Sequence, residues 1–228
     1  MLVEPMVKAV FFDLDGTLLD RDASVKQFIA AQYDRLTVHL SHIPKIDYIT
    51  RFIELDCRGH VWKDKVYQML VAEFEIERMS WQALLEDYET QFQLHCVPFN
   101  FLFEMLNVLK QQGYLLGIVT NGLGQFQTRS IEGLGIRDYF DIILISEVEQ
   151  VRKPQAEIFQ RAMTRLGVSA PDSVFVGDHA EADIAGAKRV QMRTIWKRSL
   201  HWLEAKEADA IIDELSEIPL ILEQFKCN

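Results

Sequence analysis

Val7-Lys8-Ala9-Val10-Phe11-Phe12-Asp13-Leu14-Asp15-Gly16-Thr17-Leu18 is the stretch from which the rest of this 228-residue chain can be read. Val7 to Phe12 is almost continuously apolar and rich in β-branched and aromatic residues, as expected of a strand covered on both faces of a parallel sheet. Two carboxylates one residue apart end the run, and the Gly-Thr after them is turn chemistry. Alternate residues of a strand share a face, so Asp13 and Asp15 point to one side wherever the extended geometry persists. Ligands of open α/β sheets gather just beyond the carboxyl ends of the strands. One such turn is commonplace, so the question is whether other strands send matching groups to the same edge.

Beyond Pro98, strands and helices alternate, which predicts βαβ units and a parallel sheet. A helix over Asn100–Gln112 is closed by Gly113. The strand Tyr114–Val119 follows and ends in Thr120-Asn121-Gly122. A helix from about Gln125 to Leu134 leads to a third strand, Phe140–Ile145. Pro154 suits the first position of a helix reaching Leu166. The strand Ser173–Val176 ends in Gly177-Asp178. A helix over about Ala182–Arg189, strands at Arg193–Trp196 and Ala210–Ile212, and a last helix to Lys226 complete the pattern. The predicted class is α/β, with a Rossmann-like core of parallel sheet flanked by helices.

Between these halves the strand signal vanishes. Val25, Phe28, Ile29, Leu36 and Leu40 recur at threes and fours, with Asp22 or Ser24 placed to cap the helix. Further helices are predicted over Lys45–Asp56, His60–Phe74 and Ser80–His95. The division is therefore a core of residues 1–20 and 97–228, interrupted by a small helical domain of residues 21–96.

A formal net charge of −10 argues against a nucleic-acid partner. No apolar run approaches the roughly 20 residues that a membrane helix needs, and no signal peptide is recognisable. Cys57, Cys96 and Cys227 are too far apart to form a metal or redox pair, which predicts reduced thiols and a cytoplasmic protein. Oligomeric state is left open.

Four apolar runs end in useful polar groups: Asp13 and Asp15; Thr120 and Asn121; Lys153 after the third; and Asp178, with Asp183 five residues on. Two like charges about 4 Å apart cost roughly 4 kcal/mol at an effective dielectric near 20. Carboxylates gathered this closely must hold protons or share a cation. Oxygen-only ligands select Mg²⁺. A carboxylate nucleophile then suits phosphoryl transfer. Asp13 would attack phosphorus, while Asp15 would protonate the departing alcohol and then deprotonate water. The Thr120 hydroxyl, the Asn121 and Gly122 N–H groups and Lys153 would hold the phosphoryl oxygens. Asp178 would ligate the metal. Asp183 would ligate it directly or through water, or orient Lys153.

Asp13-Leu14-Asp15-Gly16-Thr17, Thr120-Asn121-Gly122, Lys153-Pro154 and Gly177-Asp178-His179-Ala180-Glu181-Ala182-Asp183 resemble the four motifs of the haloacid dehalogenase superfamily, in order and spacing. The resemblance covers the whole chain. It implies a nucleophile at Asp13, an acid/base at Asp15, and Mg²⁺ held by Asp13, the Leu14-to-Asp15 backbone and Asp178. It likens the helical insertion to the family's cap, and the second half to its nucleotidase and N-acylneuraminate-9-phosphatase members. Dehalogenases of the family lack an acid at the position of Asp15, because a departing halide needs no proton. The expected activity is hydrolysis of a small phosphorylated metabolite. A phosphomutase of the same superfamily, or a receiver-like phospho-accepting module, are the alternatives.

Thr17 reads as a turn hydroxyl positioning Asp13, and His179 as a loop residue beside the metal. Arg58-Gly59-His60 is the best candidate for a substrate-reading loop. Trp62, Trp81 and Phe92 read as core of the helical insertion.

Overall fold

The structure is a computed structural model, and it describes residues 7–199 and 204–227. Strand β1 (Ala9–Phe12) is completely buried. It begins two residues later than Val7, because Lys8 turns out to solvent and pairs with Asp172 at 2.9 Å. The chain divides into two compact units, Arg21–Val97 and the remainder.

The helical unit holds α1 (Arg21–Arg35), α2 (Thr37–Leu40), α3 (Lys45–Asp56), α4 (Lys63–Glu73) and α5 (Trp81–Gln91), followed by a 3₁₀ turn at Phe92–His95. The first predicted helix breaks at Leu36, where φ is −105° and ψ 16°. There the Thr37 hydroxyl bonds back to the Tyr33 and Asp34 carbonyls, a local alternative to the helix ladder. Asp22 and Ser24 lie inside α1 rather than capping it; buried Ser24 accepts the Val97 N–H at 2.8 Å. Helix α4 starts later than His60 because a left-handed turn at Cys57, Arg58 and Gly59 (φ 45°, 57° and 85°) comes first.

Phe28, Tyr48, Phe52, Tyr67, Tyr88 and Phe92 pack together at the centre of this unit. Buried among them, the Gln32 amide donates to Leu84 O (3.1 Å) and Asp87 Oδ2 (2.9 Å), and accepts from the hydroxyls of Tyr48 (3.2 Å) and Tyr67 (3.0 Å). That uses the full capacity of one side-chain amide. Phe92 belongs to this core as expected, but Trp62 does not: it is 67% exposed, just ahead of α4.

The second unit continues with α6 (Leu102–Gln111), β2 (Leu115–Thr120), α7 (Gly124–Gly133), β3 (Ile142–Ile145), α8 (Ser146–Glu149), α9 (Ala156–Leu166) and β4 (Ser173–Gly177). A π-helical turn at Ala180–Ala185 runs into α10 (Gly186–Arg189), and β5 (Arg193–Lys197), β6 (Ala210–Ile212) and α11 (Ile218–Cys227) follow. The six strands form one parallel sheet in the order β3-β2-β1-β4-β5-β6. Strand order reverses beside β1, the switch point at which such sheets bind ligands. Phe11, Val119, Leu144, Ile158, Phe159 and Phe175 cluster where α9 covers one face.

Two local expectations are corrected. Pro154 does not open α9. The Gln155 N–H donates to Arg152 O, and the Arg152 N–H to Gln155 Oε1, a tight turn that delays the helix to Ala156. The helix predicted from Ala182 instead begins as the π turn, with the Asp183 and Ile184 N–H groups both directed at His179 O.

Candidate active site

Strand register brings the polar strand ends together. Phe12 pairs with Ile118 on one side and Val176 on the other, so Asp13, Thr120 and Asp178 all emerge at the carboxyl edge of adjacent strands. The Asp13 N–H continues the ladder to Val176 O at 2.9 Å. The Leu14 carbonyl then collects the N–H groups of Thr17, Leu18 and Leu19, which closes the turn. Gly16 sits at φ 83°, and a Cβ there would collide with the Asp178 carboxylate. Only glycine allows the two motifs to approach this closely.

Lys153 Nζ lies between two of the acids, 2.5 Å from Asp13 Oδ1 and 2.7 Å from Asp183 Oδ1. Asp13, Asp178 and Asp183 are all buried, and each offers an oxygen within 4.8 Å of the others'. Burial pushes the Asp13 carboxyl up. Lys153 pulls it down, the Asp183 and Asp178 charges push it up again, and the result is well above the ordinary value. Burial alone would lower Lys153, but Asp13 and Asp183 outweigh it and hold the ammonium protonated. Both directions have one origin: the buried Asp13 and Asp183 carboxylates share the Lys153 ammonium, with the Asp178 charge close to Asp13. A cation fits this excess of negative charge, and the all-oxygen donor set is that of a hard divalent ion.

Asp183 has both oxygens engaged, Oδ1 by Lys153 and Oδ2 by the His179 N–H at 3.0 Å. Of the roles foreseen for it, this arrangement displays the orienting of Lys153. His179 caps the π turn, its Nδ1 accepting from the Glu181 and Ala182 N–H groups at 3.2 Å. Asn121 grips the Lys153 main chain with its side chain. The Gly122 N–H donates to Ser146 Oγ at 3.0 Å, so here it is taken up within the fold instead of facing a phosphoryl group. Thr17 also departs from expectation: its hydroxyl is buried and has no hydrogen-bond partner among the described residues. Arg58 and His60 are exposed in the helical unit, on a turn anchored by the Gly59 N–H to Asp56 Oδ2.

Two site-lining residues escaped the sequence reading. Gln127 on α7 is 2% exposed and reaches Asp15 and Thr120. Lys197 at the end of β5 is buried, donates to Gly16 O at 3.2 Å and lies over the Phe99 ring. Burial lowers its ammonium below the ordinary value despite nearby Asp178. The only available signal for Lys197 was its position at the end of the fifth strand.

Residues 10–197 match the haloacid dehalogenase-like hydrolase family. The glyceraldehyde 3-phosphate phosphatase of Pyrococcus furiosus is 30% identical over 96% of this chain and 94% of its own length. Among solved structures, magnesium-bound YfnB from Bacillus subtilis superposes with a TM-score of 0.71 at 25% identity, covering 95% of this chain and 99% of that one. The 2-haloacid dehalogenase of Pseudomonas syringae does so at 0.67 and 28% identity, covering 96% and 100%. No helix among the described residues is long and apolar enough to cross a membrane. With its motifs matched from strand to strand, the chain belongs to the haloacid dehalogenase-like hydrolase family.

Proposed function

We propose that this chain is a Mg²⁺-dependent phosphatase that hydrolyses a small phosphomonoester through a phosphoaspartate on Asp13. The observation that carries this is the Asp13–Lys153–Asp183 bridge beside Asp178, with a second acid, Asp15, two residues from the first. Relatives of comparable similarity carry phosphatase and dehalogenase names, so the site has to separate the two chemistries. A departing halide needs no proton, whereas a departing alkoxide does, and Asp15 is the group placed to supply it.

In the first half-reaction an Asp13 oxygen attacks phosphorus, and the bond from phosphorus to the ester oxygen breaks. The Asp15 proton goes to that oxygen, and the alcohol leaves. In the second, water attacks the same phosphorus, Asp15 takes its proton, and the bond to Asp13 breaks to release inorganic phosphate. Lys153 keeps Asp13 aligned and offsets charge on the phosphoryl oxygens, while the Thr120 hydroxyl donates to one of them. Mg²⁺, held by the Asp13 and Asp178 carboxylates with the Asp15 main chain, would supply charge neutralisation at the phosphoryl oxygens.

The Pyrococcus relative makes triose phosphates the first substrates to assay. Phosphate release should be followed with Mg²⁺ across triose phosphates, nucleotides, sugar phosphates, phosphoglycolate, acylneuraminate phosphate and p-nitrophenyl phosphate. Turnover of at least one, abolished in Asp13→Asn, is expected. Stable retention of phosphate without turnover would point to a phospho-accepting module instead.

A further inference from the structure

We infer that Gln127 is a positioning residue that sets the acid/base of this site; the inference rests on the reading of Asp15 just given. Gln127 lies in the first turns of α7, directly after the Thr120-Asn121-Gly122 segment, and is only 2% exposed. Its Nε2 stands 2.7 Å from Asp15 Oδ2, 3.0 Å from Thr120 Oγ1 and 3.1 Å from Asn121 O. A main-chain carbonyl can only accept, so the contact with Asn121 O settles that the amide faces the site with its nitrogen. From the other side the amide is held by Gly122, where a Cβ would lie 2.8 Å from Gln127 Cγ and Nε2.

A consequence follows from the donor geometry. With Oδ2 of Asp15 engaged by the amide, that half-buried side chain has one rotamer selected and its other oxygen left for proton exchange. The Thr120 hydroxyl lies beside the same nitrogen, whose two protons are taken by Asp15 Oδ2 and Asn121 O. A 1 Å misplacement of such groups can cost about 10²-fold in rate.

The test is leaving-group dependence, read as kcat/KM on substituted phenyl phosphates whose phenols range from strongly to weakly acidic. Gln127→Met keeps the length and apolar stem but removes the donor. Loss of a well-placed acid matters little for p-nitrophenolate and much for phenolate. The variant is expected to stay within about 3-fold of wild type on p-nitrophenyl phosphate and to fall about 10- to 100-fold on phenyl phosphate, through kcat more than KM. Asp15→Asn, measured in parallel, should show the same trend more steeply. Should the methionine variant fail to fold, Gly122→Ala, which retains the amide but displaces it, is expected to give the same signature. Equal losses across the series in the Gln127 or Gly122 variant, with Asp15→Asn still steep, would overturn the inference alone. A flat series for Asp15→Asn would instead remove the acid/base reading beneath it.

Discussion

Asn121 holds the main chain of Lys153 at both polar atoms: its Nδ2 donates to Lys153 O at 3.0 Å, and its Oδ1 accepts the Lys153 N–H at 2.9 Å. The end of β2 is thereby tied to the segment that carries the site's central ammonium, 32 residues away. Asn121→Asp keeps the acceptor but loses the donor and turns a carboxylate towards a carbonyl. We expect kcat to fall about 10- to 100-fold with little change in KM, equivalent to about 1.4–2.7 kcal/mol of transition-state stabilisation. Steady-state kinetics beside a circular dichroism spectrum would check this. An unchanged kcat would mean that Lys153 is held in place without Asn121.

Three buried carboxylates with oxygens within 4.8 Å of one another should make the fold itself responsive to Mg²⁺. A cation binding only the folded state at 100 times its Kd adds about 2.7 kcal/mol. Melting followed without substrate should show Tm rising with Mg²⁺, and the rise should be lost in Asp178→Asn. An equal rise in that variant would place the ion elsewhere.

Gln32 makes a prediction confined to the helical unit. Gln32→Leu fits an apolar environment yet leaves the buried Tyr48 and Tyr67 hydroxyls without their shared acceptor. Stranding buried polar groups costs about 1–3 kcal/mol each. A loss of about 2–4 kcal/mol in denaturant unfolding is expected. A variant as stable as wild type would show that the hydroxyls find other partners.

Asp56 supplies a pH dependence. Burial would raise its carboxyl, but Lys63 and Arg21 bond to it directly and hold it below the ordinary value. A carboxyl lower in the folded than in the unfolded state gives stability that is complete above the unfolded value, about 3.9, and lost as pH falls through the folded one. The stability gap between wild type and Asp56→Asn should therefore be flat from about pH 5 to 8 and narrow below about pH 4. A gap that changed across neutral pH would contradict the assignment.

Which residues could be read in advance follows from how each earns its position. Asp13, Thr120 and Asp178 each end an apolar run, and parallel strands in register place such endings side by side, so linear order already carried their proximity. Lys153 follows β3 by a longer path through α8, but its place among the strand endings was still visible. Gln127 carried no such mark, because a glutamine on an amphipathic helix reads as solvent-facing until the Gly122 turn folds α7 back onto Asp15. Lys197 lies one residue past a predicted strand and carried no mark of its own, while the Phe99 ring over its ammonium and its bond to Gly16 O make it interior. Trp62 failed in the opposite sense, since its bulk suggested burial while the turn before α4 leaves it outside. Gly122 lost its expected role to a hydroxyl from α8, a helix too short to leave a periodic signature.

Covalent capture on Asp13 is tested most directly by rapid acid quench during turnover of p-nitrophenyl phosphate with Mg²⁺, followed by mass spectrometry of the peptide containing Asp13. We predict that this peptide gains the mass of one phosphoryl group, transiently in wild type and persistently in Asp15→Asn, where the activating base for water is gone. Continued hydrolysis with no phosphorylated Asp13 in either protein, or undiminished turnover by Asp13→Asn, would contradict a phosphoaspartate at the head of the reaction.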